Sequence, residues 1–324
     1  MISACYIVRN AQDTIEESIL SVAPHVSEIV VTDTGSTDQT LAILQRLMAA
    51  DDRIRLRCFK WCDDFSQARN YCLSQATQDF ILVIDADETL TALRIEDGYE
   101  ADWYPAVVTN HVASEGRRIP VRHTSTRLFR NFSGIVYQGI VHELVEASLA
   151  GRRRGNGSIQ LEHSGYESVE MATRKARRNL ELMKRQEVEQ PANPANAFLL
   201  CKTHFQLEDY QACIDHGFQA LLSPIDDHSK AQIGIFLHLA YAKLGKPRFG
   251  VRYLELALRF VPGQIRAHLL LIEYWQSIGR RDLIEKGLTE LKNVVEKGAS
   301  ALANDEVMTL ADLEAYTRRV QIAS

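Results

Sequence analysis

An α/β sheet domain followed by an all-α helical domain is the fold class that the sequence predicts, on three observations. Short, nearly continuous apolar runs alternate with amphipathic segments as far as Ile84, helix-turn-helix pairs recur towards the end, and aspartates stand just past two of the apolar runs. Alternation of this kind marks βαβ units, whose parallel sheet is covered on both faces. ISACYIV, from Ile2, reads as the first buried strand and DTIEESILSVAPH as the helix after it. EIVV and the helix STDQTLAILQRLMAA come next, then RIRLRCF with the helix SQARNYCLSQAT, then FILVI. Ligands of open α/β sheets collect beyond the carboxyl ends of the strands. Asp33 stands there after EIVV, and Asp85 and Asp87 stand there after FILVI. Past Asp87 the pattern loosens into irregular or antiparallel strands, YPAVVTN, STRLFRN, GIVYQGIVHELVE and SIQLEHSGY. The first domain is therefore expected over residues 1–166 and the helical one over 167–324.

With 324 residues, 46% of them hydrophobic, the chain can fill two modest cores. Its formal charge is −5. Residues 1–165 hold 16 Lys and Arg against 22 Asp and Glu, and the rest 21 against 20, so the acidity lies in the first domain. An acidic domain with no long basic run is unsuited to nucleic-acid phosphates, which excludes that class of partner. The six cysteines form no CxxC pair and no matching histidine cluster accompanies them. Reduced thiols packed as small hydrophobes are the expectation, and with them a cytoplasmic location. MISACYIV is short and runs into Arg9 and Asn10, which reads as a strand rather than a signal peptide. No run approaches the ~20 apolar residues of a membrane span, so any contact with the inner membrane is expected to be peripheral.

The helical part repeats. NAFLLCKTHFQLEDYQACIDHGFQALLSP, AQIGIFLHLAYAKLGKPRFGVRYLELALRFVP and IRAHLLLIEYWQSIGRRDLIEKGLTELKNVV each read as helix, turn and helix. Gly245 and Gly279 fall 34 residues apart at equivalent turns, and Pro224 and Pro262 end equivalent second helices. The spacing resembles tetratricopeptide repeats, in which each pair buries its apolar stripe against the next. Such a tail offers a surface for an extended peptide or for self-association.

FILVIDADE carries the first chemical signal. In an extended chain alternate side chains share a face, so Asp85 and Asp87 are expected to project together from the strand end. Two neighbouring carboxylates repel, and a divalent cation, Mg²⁺ or Mn²⁺, removes that cost with hard oxygen ligands. A turn former or helix cap is the alternative reading of such a pair.

Six separated segments cover most of residues 2–166: IVRNAQDTIEESILSV, EIVVTDTGSTDQT, FKWCDDFSQARNYCLSQATQDFILVIDADETL, RLFRN, YQGIVHE and LEHSGY. In that order they resemble the family 2 glycosyltransferases of the GT-A fold, in the bacterial branch that carries a tetratricopeptide-like tail. The resemblance implies that Asp33 reads the base or ribose of a sugar nucleotide, beside Asn10 of the first motif. A helix amino terminus after it favours phosphate oxygens, and Ser36 or Asp38 could equally cap that helix. Arg69 and Asn70 match positions lining the donor pocket, to which Asp85 also belongs; an exposed helix charge is the plainer account of Arg69. His163 matches a late histidine that completes the metal shell with Asp85 and Asp87, and a strand-end histidine is its alternative. Glu143 stands at the place of the general base. His142 is the rival, sent to the opposite face by strand alternation. Arg130 and Tyr166 are weaker candidates, Asp63 and Asp64 read as helix caps with a substrate contact as the lesser alternative, and the run Arg152–Arg154 reads as a solvated turn, with an anionic acceptor or lipid headgroup as its minority reading. One departure is Ala11, where the family carries an acidic residue that helps hold the nucleotide.

The implied activity is inverting, metal-dependent transfer of a sugar from a nucleotide-diphosphate donor, a UDP-sugar first among them, to a protein, peptide or cell-surface glycan. A non-catalytic sugar-nucleotide-binding scaffold, with the repeats docking a protein, is the other reading. A dinucleotide-dependent oxidoreductase is excluded because no G-x-G-x-x-G follows the first strand.

Overall fold

The computed structural model describes residues 1–114, 117–163, 169–189, 194–297 and 310–323. The chain divides into two compact units, Met1–Glu167 and Ser168–Ser324.

In the first unit, strands β1 (Ile2–Val8), β2 (Glu28–Asp33), β3 (Ile54–Cys58) and β4 (Phe80–Val83) alternate with helices α1 (Ile15–Val22), α2 (Thr40–Ala50) and α3 (Phe65–Ser74). All four strands pair in parallel, with β1 between β2 and β4. Their apolar runs are continuous because both faces are covered. Ile2, Ala4, Tyr6 and Val8 of β1 join Ile15, Ile19 and Leu44 from α1 and α2 in one core, and Cys5 joins Cys72 and Leu73 of α3 in the other. Period-two alternation thus assigns each helix its side of the sheet.

Beyond β4 the sheet becomes mixed. Strands β5 (Glu88–Ile95), β6 (Trp103–Ser114), β7 (Arg117–Arg130) and β8 (Gly157–His163) complete the order β3-β2-β1-β4-β7-β6-β8-β5. β7 runs antiparallel to β4 and β6, β8 lies parallel to β6, and β5 runs antiparallel to β8. Although β5 ends that order, it follows β4 directly in the chain, and Leu90 N donates to Ser21 Oγ of α1 at 2.9 Å. The sheet therefore curls, returning its last strand to the first helix.

Three local expectations change. ETLTALRI, unassigned from sequence, is β5, paired with a strand about 70 residues later. GIVYQGIVHELVE forms a loop closed by one bridge, Gln138 with Leu144, and then a 3₁₀ turn, Glu146–Leu149. Asp85 and Asp87 do not continue an extended strand: Glu88 N donates to Asp85 O at 3.0 Å, so the two aspartates lie in the turn that leads from β4 into β5. The two carboxylates therefore do not share a strand face, contrary to expectation.

The second unit begins with α4 (Val169–Glu189). Three antiparallel pairs follow: α5 (Ala195–Gln206) with α6 (Tyr210–Leu222), α7 (Asp227–Lys243) with α8 (Pro247–Phe260), and α9 (Ile265–Ser277) with α10 (Arg281–Glu296); α11 (Leu310–Ala323) ends the described chain. The turns inside the pairs share a left-handed residue, Glu208 at φ 61°, Gly245 at 72° and Gly279 at 70°. Glycine adopts that conformation without a Cβ penalty. The first pair uses Glu208 instead, so the glycine spacing marks only the later two. No described helix is long and apolar enough to cross a membrane.

Close approach within the second pair depends on Gly234 of α7, where a Cβ would collide with the Tyr253 carbonyl oxygen of α8. Gly234→Ala is expected to destabilise this unit by about 1–3 kcal/mol, the usual cost of overpacking a tight contact. A fall in the urea midpoint of the unit, with the first unit unmoved, is the measurement.

Candidate active site

Three residues expected to do chemistry from distant parts of the sequence meet in one buried ion network. Asp64 opens α3, its carboxylate accepting from Gln67 N at 3.0 Å, and so fixes the helix that carries Arg69. Arg69 donates from Nη2 to Asp85 Oδ1 at 2.8 Å and from Nε to Glu143 Oε1 at 2.5 Å. Its side chain is only 12% exposed and lies over the Tyr137 ring, 5.3 Å from the centroid. Arg127 of β7 completes the cluster, donating from Nη2 to Glu88 Oε1 at 2.7 Å and from Nη1 to Asp85 Oδ2 at 3.5 Å. Glu88 Oε2 in turn accepts from Asp85 N at 3.0 Å, which holds the aspartate turn in shape. Arg69, Asp85, Arg127, Tyr137 and Glu143 line a cavity of about 100 Å³.

Burial sets the electrostatics of this cluster. For Asp85 burial acts upwards, but the guanidinium groups of Arg69 and Arg127 outweigh it and hold the carboxyl well below the usual carboxylate range. Glu88 shifts the other way: burial first, then the Asp85 charge, push it up to about 7 against the pull of Arg127. Burial also pushes the Tyr137 phenol up to about 12. Two guanidinium groups facing Asp85 and Glu143 balance in charge when Glu88 carries its proton, so the cluster can be closed without a stranded ion.

His163 ends β8 in register with Glu88, and its Nε2 lies 3.0 Å from Asp87 Oδ2. A carboxylate oxygen beside an imidazole nitrogen is a donor pair that suits a hard divalent cation whose remaining ligands come from phosphate oxygens and water. No group of three metal-ligating side chains occurs among the described residues. Asp85 joins the pair as a ligand only by releasing an arginine, since both its oxygens face guanidinium groups.

Asp33 and Asn10 shape the loops at the carboxyl ends of β2 and β1. The Asp33 carboxylate, in a residue only 5% exposed, accepts from Gly35 N at 2.9 Å and Ser36 N at 3.1 Å, with Gly35 at φ 106° making the tight turn. Asn10 Oδ1 accepts from Thr37 N at 2.8 Å, and Asn10 N donates to Ser36 Oγ at 3.0 Å. Ala11 N donates to Thr40 Oγ1 at 2.8 Å, and Asp38 accepts from Thr40 N at 2.9 Å where α2 begins.

Asn70 faces the loop rather than the Arg69 cavity. Its amide donates to Tyr137 O at 2.9 Å and accepts from Tyr137 N at 2.8 Å, which pins the 137–145 segment to α3. In that loop His142 is exposed at φ 53°, whereas the Glu143 side chain is 10% exposed and turned to Arg69. Their different exposure comes with a left-handed residue in a loop and not with strand alternation. Arg130 is structural, its guanidinium 4.7 Å from the Phe80 ring centroid and donating to Tyr99 O at 2.9 Å. Tyr166 lies outside the described residues.

Sequence reading missed Arg127 and Glu88. A signal was present in each case: Arg127 is a charge inside an otherwise β-forming run, and Glu88 follows DAD directly.

A curled mixed sheet with a charged cavity beyond its strand ends defines an α/β ligand-binding domain. Residues 3–155 match the family model "Glycosyl transferase family 2", and the first unit is a domain of that family. Over 154 residues, 46% of this chain, it is 40% identical to a TPR repeat-containing protein of Synechococcus elongatus, covering 36% of that protein. Over 227 residues, 65% of this chain, it is 28% identical to the SPbeta prophage-derived glycosyltransferase SunS of Bacillus subtilis, covering 50% of it. The chain thus spans half or less of the length of these curated relatives. Among solved structures, S. aureus TarS aligns over 77% of this chain and 54% of its own at 16% identity, with a TM-score of 0.43.

Proposed function

We propose that the chain is an inverting glycosyltransferase that moves a sugar from a nucleotide-diphosphate donor, a UDP-sugar first, to a hydroxyl of a peptide or glycan acceptor. The observation that carries this reading is the bridge made by Arg69 between Glu143 and Asp85, which brings a candidate base and a donor-side carboxylate to one cavity. Glu143 takes the proton of the attacking hydroxyl as its oxygen bonds to the anomeric carbon. The bond from that carbon to the diphosphate breaks with its electron pair on the leaving oxygen, and attack from the opposite side inverts configuration. Asp33 and Asn10 form the loops that receive the nucleotide, Arg69 orients Glu143 and Asp85, and Arg127 steadies Asp85 from the other side. Asp87 and His163 would hold Mn²⁺ or Mg²⁺, with Asp85 joining them once an arginine lets it go. When bound, that ion neutralises charge growing on the diphosphate.

Nucleotide sugars screened by thermal shift with and without Mn²⁺ test the reading. One donor is expected to raise the melting temperature in a cation-dependent way, because a ligand bound only to the folded state stabilises it. In Asp87→Ala the cation dependence should vanish. A shift that persists in this variant removes Asp87 from the metal set.

Ala11 favours one rival, a sugar-nucleotide sensor without turnover. Slow donor hydrolysis in the absence of acceptor argues for the enzyme, whereas donor binding with no turnover argues for the sensor.

A further inference from the structure

A second cavity, of about 360 Å³, adjoins the Arg69 site and shares Ser125, Thr126 and Glu146 with it. Its volume falls within the range of small-ligand clefts, roughly 300–1,000 Å³. The transfer chemistry above uses none of its other residues.

Its walls divide by chemistry. Trp103, Pro105 and Leu149 give an apolar side. The indole nitrogen of Trp103 is buried without a hydrogen-bond partner, and the residue lines the cavity. Arg154 lies over this ring, 5.7 Å from the centroid, and forms no ion pair among the described residues. Across from that apolar side Glu146 offers a carboxylate, one oxygen of which lies 3.4 Å from Thr126 Oγ1, and Thr124 and Ser125 add hydroxyl groups.

We infer that this cavity is an acceptor subsite for an uncharged pyranoside, which selects the glycan branch of the proposed function and rests on that reading. A pyranose ring has an apolar C–H face that stacks on an aromatic or guanidinium plane, and a rim of hydroxyls that both donate and accept. The cavity supplies a partner for each: an aromatic plane, a guanidinium donor, a carboxylate acceptor and hydroxyls. One cation and one anion leave it formally neutral, so it has no net charge with which to draw in an acidic sugar or a basic peptide. The floor comes from β6 and β7, inside the sheet order rather than at its edge. A sheet face presents side chains, not the row of backbone groups with which an extended peptide pairs. Because the cavity adjoins Glu143's own, a sugar seated on Trp103 can extend a hydroxyl towards that carboxylate.

Titrating the full chain with methyl glycosides of glucose, galactose and N-acetylglucosamine, followed by tryptophan emission, is the test. At least one glycoside should give a saturable change at millimolar concentration. Trp103→Phe should abolish it, and Arg154→Ala, at an exposed position that tolerates truncation, should weaken binding at least about tenfold. The response should survive Asp87→Ala, which lies on the donor side. No response to any glycoside, a response unchanged in Trp103→Phe and Arg154→Ala, or saturation by a neutral serine peptide instead would overturn the assignment. A cation-dependent donor shift with no glycoside response sinks this inference alone. Glycoside binding without any donor shift or turnover sinks the transferase reading and leaves the saccharide site standing.

Discussion

Glu143→Gln is expected to lower sugar transfer by roughly 10²–10⁴-fold, the range that a positioned general base contributes, while donor binding stays within about twofold. Glutamine keeps the shape and an acceptor oxygen for Arg69 Nε, so the contact now at 2.5 Å is retained in weaker form and the cavity persists. What disappears is the capacity to take a proton. The loss should therefore fall on kcat with the thermal shift by donor preserved. His142→Ala supplies the contrast. That side chain is exposed on the loop, so its truncation should leave kcat within a few fold. If the outcomes are exchanged, with Glu143→Gln active and His142→Ala silent, the imidazole is the base and the loop must turn to bring it in.

Local signals account for what could be read without coordinates. The four apolar runs that became β1 to β4 declare themselves through continuity, and the helices between them through spacing, because both patterns concern neighbours in sequence. Likewise Gly245 and Gly279 marked turns because a left-handed residue ends a helix. β5 was hidden for the opposite reason: its partner is β8, and no feature of ETLTALRI foretells that Glu88 will lie beside His163. The same non-local step reshaped the site. Once the chain must turn from β4 into β5, Asp85 and Asp87 separate, one to the arginines and one to the histidine. Arg127 illustrates the limit most plainly. In sequence it is a charge in a strand, which usually means a solvated edge, and only the folded sheet sets it 11% exposed between two carboxylates. A family resemblance supplied Arg69 and Glu143, yet it assigned them to different tasks. Their direct contact makes them one electrostatic unit.

Arg69→Met tests that unit, and a loss of about 3–5 kcal/mol in the stability of the first unit is expected, the cost of breaking a buried ion pair by removing one partner. Methionine fills much of the same volume, so the loss should reflect charge rather than a cavity. Without the guanidinium, Glu143 has no other cationic partner among the described residues, where Asp85 retains only Arg127 at 3.5 Å. Neutralising one of the stranded carboxylates should then restore stability: Arg69→Met combined with Glu143→Gln is predicted to be more stable than Arg69→Met alone. Urea denaturation of the four species closes a double-mutant cycle, and residues in one ion network should show a coupling of about 0.5–3 kcal/mol. Additive losses would mean that Arg69 and Glu143 meet without depending on each other. The sign of the coupling also bears on function. A base held by an arginine that simultaneously grips Asp85 is positioned by the donor side of the site, so disturbance at the aspartate turn reaches Glu143 through one side chain. Strong coupling in stability should therefore be accompanied by a kcat loss in Arg69→Met comparable to that in Glu143→Gln, and by little further loss when the two are combined.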